Sequence, residues 1–208
     1  MSICINCGSR AHFHEQHNPL ATYCNHACHK QDYLDANVKF VSQGNSECGL
    51  FTEIGTFRID NNKTRTLFLG RRPDRRKEVN EIVVQNIKTV ISVTDNPTSV
   101  EEVSSMQKNG VTVFNFPIKD ARPTDIDVTR LQFDAVAREI TRGLKRGNVL
   151  IHCDAGCSRS PAFLVYWLMK NHVFTSIEQA RNFLASNRLC VRPVEDWFFI
   201  DFLRRWWK

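Results

Sequence analysis

The stretch NVLIHC, residues 148–153, is a nearly uninterrupted apolar run that stops at a cysteine. A run of that length and composition suits a strand covered on both faces, as in the middle of a parallel sheet. A short loop, Asp154 to Ser158 with Gly156 at its centre, separates it from Arg159, Ser160 and Pro161. Proline is well tolerated in the first turn of a helix, and the apolar AFLVYWLMK that includes the next residues predicts a buried one. A strand hidden on both faces needs helices on both sides, so this one unit constrains the chain to a layered α/β arrangement. LFLG (67–70), TVISVTD (89–95) and VTVFNFPI (111–118) read as further strands closed by turn residues. Helical patterns lie between them at 76–87 and 99–109. A longer one runs from Asp125 to Leu144, with Ile126, Leu131, Val136 and Ile140 on one stripe. Three more follow the loop, near 159–171, 176–187 and 195–206. The expected fold class is α/β, a central, mostly parallel sheet flanked by helices.

Ligand sites in such sheets lie beyond the carboxyl ends of the strands, and Cys153 sits at one. The backbone N–H groups of Asp154, Ala155, Gly156, Cys157, Ser158 and Arg159 can point into one concavity, at which the following helix aims its positive end. That makes a cradle for a tetrahedral anion, and the planar fork of Arg159 matches two phosphate oxygens. Thiols at helix N-termini beside cations ionise well below the ~8.5 of a free thiol, so Cys153 is expected as a thiolate nucleophile under a bound phosphoryl group. His152 is expected to orient the loop by hydrogen bonds instead of acting as a base, and Ser160 to donate to the sulfur as it leaves. A buried cysteine or a helix-start salt bridge would explain Cys153 or Arg159 alone. The combination of His-Cys, an internal glycine and Arg-Ser directly after a strand points to anion chemistry.

HCDAGCSRS (152–160) matches the HCxxGxxRS signature of cysteine-dependent protein phosphatases, and its Ser158-Arg159-Ser160 ending resembles the dual-specificity branch. The likeness covers about residues 54–206: LFLG resembles that family's early strand, VFNFPIKD the strand leading to its acid loop, and RLCVRP the segment before its last helix. Val194 departs from it, standing where the family usually has asparagine. The resemblance implies a protein tyrosine phosphatase-like fold and catalysis by Cys153 and Arg159 with Asp120 as the acid. Asp120 also lies past a strand end on the same sheet edge as Cys153. Asp125 and Asp127 are the other nearby carboxylates, better suited to the start of the next helix as capping or first-turn acids. Asp120 would protonate the leaving alcohol or phenol, then deprotonate the water that hydrolyses the thiophosphate.

The variable loop positions are Asp154, Ala155 and Cys157. A carboxylate at the rim repels a polyanionic head group, so the expected substrates are phosphorylated proteins, with phosphotyrosine and phosphoserine or phosphothreonine esters both cleaved. The same chemistry on RNA 5′-phosphates or phosphoinositides, or a phosphoprotein-binding adaptor without turnover, are the alternatives. The run RRPDRRK (71–77) is either a solvated face or a steering element. Trp206 and Trp207 are expected to pack the last helix. Cys157 fills the underside of the loop or traps an oxidised Cys153, a role also open to Cys190 or Cys48.

Four of the eight cysteines and five of the seven histidines fall within the first 29 residues, with few large apolar side chains among them. The chain is therefore read as a module over 1–47 and a catalytic domain over 51–208. Cys4 and Cys7 form a CxxC pair followed by Gly8, and Cys24 and Cys28 form a CxxxC pair. That spacing predicts a structural zinc site, closed by four thiolates and supplying folding energy the segment lacks. The first pair looks like a zinc knuckle, and YCNHACHKQDY resembles the second half of a MYND-type finger, without the further ligands of that family in register. Such modules usually serve a protein partner. No cofactor is expected for catalysis. The net charge of +6 suits an anionic substrate without calling for nucleic acid. No stretch reaches the length of a bilayer span and MSICINCGSR lacks the layout of a secretory signal, so no membrane partner and a cytoplasmic or nuclear location are expected.

Overall fold

The computed structural model describes residues 13–15, 18–23, 49–60, 63–120, 129–192 and 200–207. The four predicted zinc ligands Cys4, Cys7, Cys24 and Cys28 lie outside them, as do Cys48, Asp125, Asp127 and Val194. Near the N-terminus, β1 (Phe13–Glu15) and β2 (Asn18–Tyr23) pair antiparallel.

From residue 50 onward a five-stranded sheet forms from β3 (Phe51–Asp60), β4 (Lys63–Arg71), β5 (Ile87–Thr94), β6 (Thr112–Pro117) and β7 (Asn148–Cys153). Its order is β3-β4-β7-β5-β6. The sheet is mixed: β4, β7, β5 and β6 run parallel, and β3 is an antiparallel edge on β4. Sequence reading gave no strand at 51–60. The register slips between Glu53 and Gly55, so Ile54 and Gly55 are both buried and the alternation that marks a strand is broken.

The helices are α1 (Arg76–Val84), α2 (Val100–Lys108), α3 (Arg130–Arg146), α4 (Arg159–Lys170), α5 (Ile177–Asn187) and α6 (Ile200–Trp206). Val149, Ile151 and Cys153 of β7 join the larger core with α3, α4 and α5, whereas Leu150 joins Val79, Ile82 and Met106 of α1 and α2 on the other face. The uniform apolar character of NVLIHC thus has its cause in a strand that alternately feeds two cores.

Helix α3 departs from expectation in its buried face. Leu131 is 76% exposed, and Phe133, Val136, Ala137, Ile140 and Leu144 face the core. Steps of five residues, as from 131 to 136, rotate by about 140° around a helix axis, so those positions do not share a side. The helix starts at Arg130, where the Thr129 N–H donates to Gln132 Oε1 at 2.8 Å. Trp206 packs edge-on against Phe133 at 5.2 Å and Trp207 against Tyr166 at 4.9 Å, the packing role expected of the C-terminal aromatics. No helix among the described residues is long and apolar enough to cross a membrane.

Candidate active site

The parallel strands end on one edge, and each delivers a side chain there. Cys153 closes β7 and lies opposite Arg71 of β4 in register. Arg72 follows β4, Asp95 follows β5, and Asp120 lies three residues beyond β6. The loop from Cys153 to Arg159 runs between them into α4.

The loop is shaped by its carbonyls, each held from outside. Asp154 O accepts from the Arg72 N–H at 3.1 Å, Cys157 O from the Arg192 N–H at 3.0 Å, and Ser158 O from the Ala162 N–H at 3.0 Å. Ala155 O and Gly156 O accept from the Arg188 guanidinium, each at 3.3 Å. In a trans peptide the N–H points opposite to the carbonyl before it, and the described residues contain no cis bond. The N–H groups of Ala155, Gly156, Cys157 and Ser158 are therefore turned inward. The Gly156 N–H reaches Cys153 Sγ at 3.2 Å. Gly156 has φ +73°, and a Cβ there would come within 2.4 Å of Gly70 O, so both the turn and the close approach to β4 require glycine.

Cys153 is only 3% exposed, and Ser160 Oγ donates to its sulfur at 3.3 Å. His152 is fully buried, with Nδ1 3.2 Å from Cys153 O. Burial pushes its imidazole down to about 4, against the raising influence of that carbonyl and of Asp154. A neutral ring donating from Nδ1 to that carbonyl fits a role in orienting the loop and not that of a base.

The Arg159 side chain is 3% exposed and gathers the strand ends. Nη1 donates to Ile118 O at 2.9 Å and to Asp95 Oδ1 at 3.0 Å, and Nη2 faces Asp120 Oδ2 at 3.4 Å and pairs closely with Asp154 Oδ2. The Arg159 hydrogen bond holds the Asp95 carboxyl below its usual range, against the opposing effect of burial. The Asp120 side chain is 52% exposed. Asp154 also lies 3.3 Å from Arg72 Nη1. Its charge is shared between two cations, which weakens the expectation that it repels anions at the rim. Arg72 shows that part of the 71–77 basic run belongs to the site, whereas Arg71 pairs with Asp74 and the buried Glu78.

The structure thus brings together Cys153, Arg159, Asp120, Ser160, His152 and the 154–158 backbone. Sequence reading missed Asp95 and Arg188, and it singled out Arg72 only as part of the 71–77 basic run. An arginine just past a helix end is read as solvated, and only its burial, visible in the fold, marks Arg188 as different. Cys157 Sγ donates to Ala155 O at 3.3 Å, and burial pushes its thiol up, away from easy oxidation. Cys153 and Cys157 are free thiols and Cys190 is disulfide-bonded.

A family model described as dual specificity phosphatase, catalytic domain, matches residues 67–206. Dual specificity protein phosphatase 18 of Rattus norvegicus is 34% identical over 110 residues, 51% of this chain and 48% of that protein. Dual specificity protein phosphatase 21 of Homo sapiens is 31% identical over 136 residues, 62% of this chain and 63% of that protein. The chain therefore spans between about half and less than two thirds of the length of these curated relatives. Among solved structures, kinase associated phosphatase with its catalytic-site cysteine replaced by serine superposes with a TM-score of 0.56 at 17% identity, over 77% of this chain and 97% of that one. Tk-PTP in its active form gives 0.54 at 24% identity, over 66% and 89%; at these identities the likeness is one of fold. With the family model covering well over half of its length, the chain belongs to the dual specificity phosphatase catalytic domain family.

Proposed function

We propose that the protein is a phosphoprotein phosphatase that hydrolyses phosphotyrosine and phosphoserine or phosphothreonine esters through a cysteinyl-phosphate. The observation that carries this reading is the bowl itself: Cys153 Sγ beneath the Gly156 N–H and the Ser160 hydroxyl, with the Arg159 fork at its side. A phosphoryl group entering the bowl replaces the Asp154 carboxylate on Arg159 Nη2, and Arg72 keeps hold of Asp154. The sulfur attacks phosphorus, the P–O bond to the leaving group breaks, and Asp120 gives that oxygen its proton. Water then attacks phosphorus and passes its proton to Asp120. The P–S bond breaks, and Ser160 donates to the departing sulfur. The backbone N–H groups and Arg159 hold the equatorial oxygens throughout, where charge accumulates.

The spacing of Cys4, Cys7, Cys24 and Cys28 supports a structural zinc site in the first 47 residues, offering a surface to a protein partner. Catalysis as written needs no metal.

A turnover panel tests the reading, after the zinc content of the protein is measured by mass spectrometry. Wild type should hydrolyse aryl phosphates and phosphopeptides, and Cys153→Ser should bind phosphopeptides without turnover. Asp120→Asn should lose about 10²- to 10⁴-fold in kcat, more for phosphoserine than for p-nitrophenyl phosphate because the alkoxide needs its proton more. Inactive wild type, or faster turnover of RNA 5′-phosphates or phosphoinositides than of phosphopeptides, would overturn the proposal.

A further inference from the structure

Arg188 is 1% exposed, yet it carries a full guanidinium charge into the molecule. Its Nε donates to Gly156 O at 3.3 Å and its Nη2 to Ala155 O at 3.3 Å. Nη1 donates to Gly49 O at 3.1 Å and to Thr52 Oγ1 at 3.2 Å. All four acceptors are neutral, and no ion pair with a carboxylate forms among the described residues. Burying a cation without a counter-charge is costly, and a residue serving only to fill the core could be apolar at lower cost. Among the described residues, the groups able to carry negative charge beside it are the phosphate-loop thiols of Cys153 and Cys157. Burial draws the Arg188 guanidinium below its ordinary range, and the sulfurs of Cys157 and Cys153 pull the other way.

Its backbone is also fixed. Arg188 follows α5 directly, its N–H donates to Leu184 O at 2.8 Å and its carbonyl accepts from the Val191 N–H at 3.0 Å. The side chain therefore reaches the loop from a rigid platform, from the side away from the bowl. The two carbonyls it grips belong to the peptides whose N–H groups are those of Gly156 and Cys157, and the first of these already points at Cys153 Sγ.

We propose that Arg188 is a positioning residue for phosphate binding: it holds two consecutive loop carbonyls from behind, so that the Gly156 and Cys157 N–H groups face the oxyanion, and its charge, paired with no carboxylate among the described residues, adds to the field that retains that oxyanion. A lysine keeps the charge but has its three donors on one atom, so it cannot span both carbonyls and the Gly49–Thr52 side together. The inference rests on the phosphate-loop reading of residues 153–159.

The test is calorimetric titration of inorganic phosphate into wild type, Arg188→Lys and Arg188→Met, with melting curves and p-nitrophenyl phosphate turnover on the same samples. Arg188→Met should raise the phosphate Kd at least about tenfold and lower kcat/KM about a hundredfold, in the range lost with an oxyanion donor. Arg188→Lys should fold and recover only part of both. A wild-type Kd in either folded variant, or loss of the fold in both, overturns the inference, since a purely structural residue behaves so. If wild type binds phosphate in an Arg188-dependent way but turns nothing over, the phosphatase proposal fails and the inference about Arg188 stands.

Discussion

His152 makes acid sensitivity a property of the loop. Its ring is fully buried, Nδ1 faces Cys153 O at 3.2 Å, and Nε2 has no hydrogen-bond partner among the described residues. Protonation would place a second N–H, and a charge, where nothing accepts them, and burial therefore lowers the imidazole from 6.5 to about 4. Between those values the unfolded chain binds the proton and the folded one does not. Stability contributed by the neutral ring is complete above about pH 6.5, falls as pH drops below it, and is exhausted near pH 4. At 1.36 kcal/mol per pH unit the full loss is about 3 kcal/mol, and at pH 5 it is about 2 kcal/mol. The carboxylates held below their ordinary 3.8, Asp74, Asp95 and Asp134, lose their contribution only at pH below that value, so they do not enter this window. Urea denaturation at pH 7 and pH 5 measures the effect. With an m-value of about 2 kcal/mol/M, the wild-type midpoint should fall by about 1 M. His152→Asn offers an amide N–H in place of Nδ1–H and does not titrate; whatever its stability at pH 7, most of the shift between pH 7 and 5 should vanish. Equal shifts in wild type and His152→Asn would refute the reasoning.

The remaining predictions concern the loop. Gly156→Ala places a methyl 2.4 Å from Gly70 O at a φ of +73°, so the loop must move. Aryl phosphatase activity should fall by about 10² or more, as when a preorganised oxyanion donor is lost, and wild-type kinetics in a folded variant would contradict the geometry. Asp154→Asn removes the resident anion from Arg159 while leaving Arg72 and the backbone in place. As Asp154 is about a third exposed, the gain is modest: KM for aryl phosphates should fall about two- to fivefold, matching the 0.4–1 kcal/mol of a partly screened pair. A rise in KM would mean that the carboxylate helps to bind substrate.

How much of this was legible in the amino-acid order depended on distance along the chain. The strand ending at Cys153, the turn at Gly156 and the helix starting at Arg159 are consecutive, and their geometry follows from local rules of strand burial, positive φ and helix N-termini. Asp120 was singled out by the family resemblance, and a strand that ends three residues before it agrees. Leu131 was misassigned because positions five apart do not share a helix face, and β3 was missed because a bulge interrupts its alternation. Cys4, Cys7, Cys24 and Cys28 remain a matter of spacing alone.

By itself the sequence determined the chemistry of the bowl: a thiol, a hydroxyl, a guanidinium and a run of inward N–H groups within eight residues, 153–160. Tertiary structure decided what holds that bowl open. Inserting β7 between β4 and β5 brings Arg72 and Asp95 to the same edge, and the close of α5 brings Arg188 beneath it. Those partners lie tens of residues from the loop in sequence. Their hydrogen bonds arise from strand order and helix packing, which no local periodicity encodes, and so they became visible only in the folded chain.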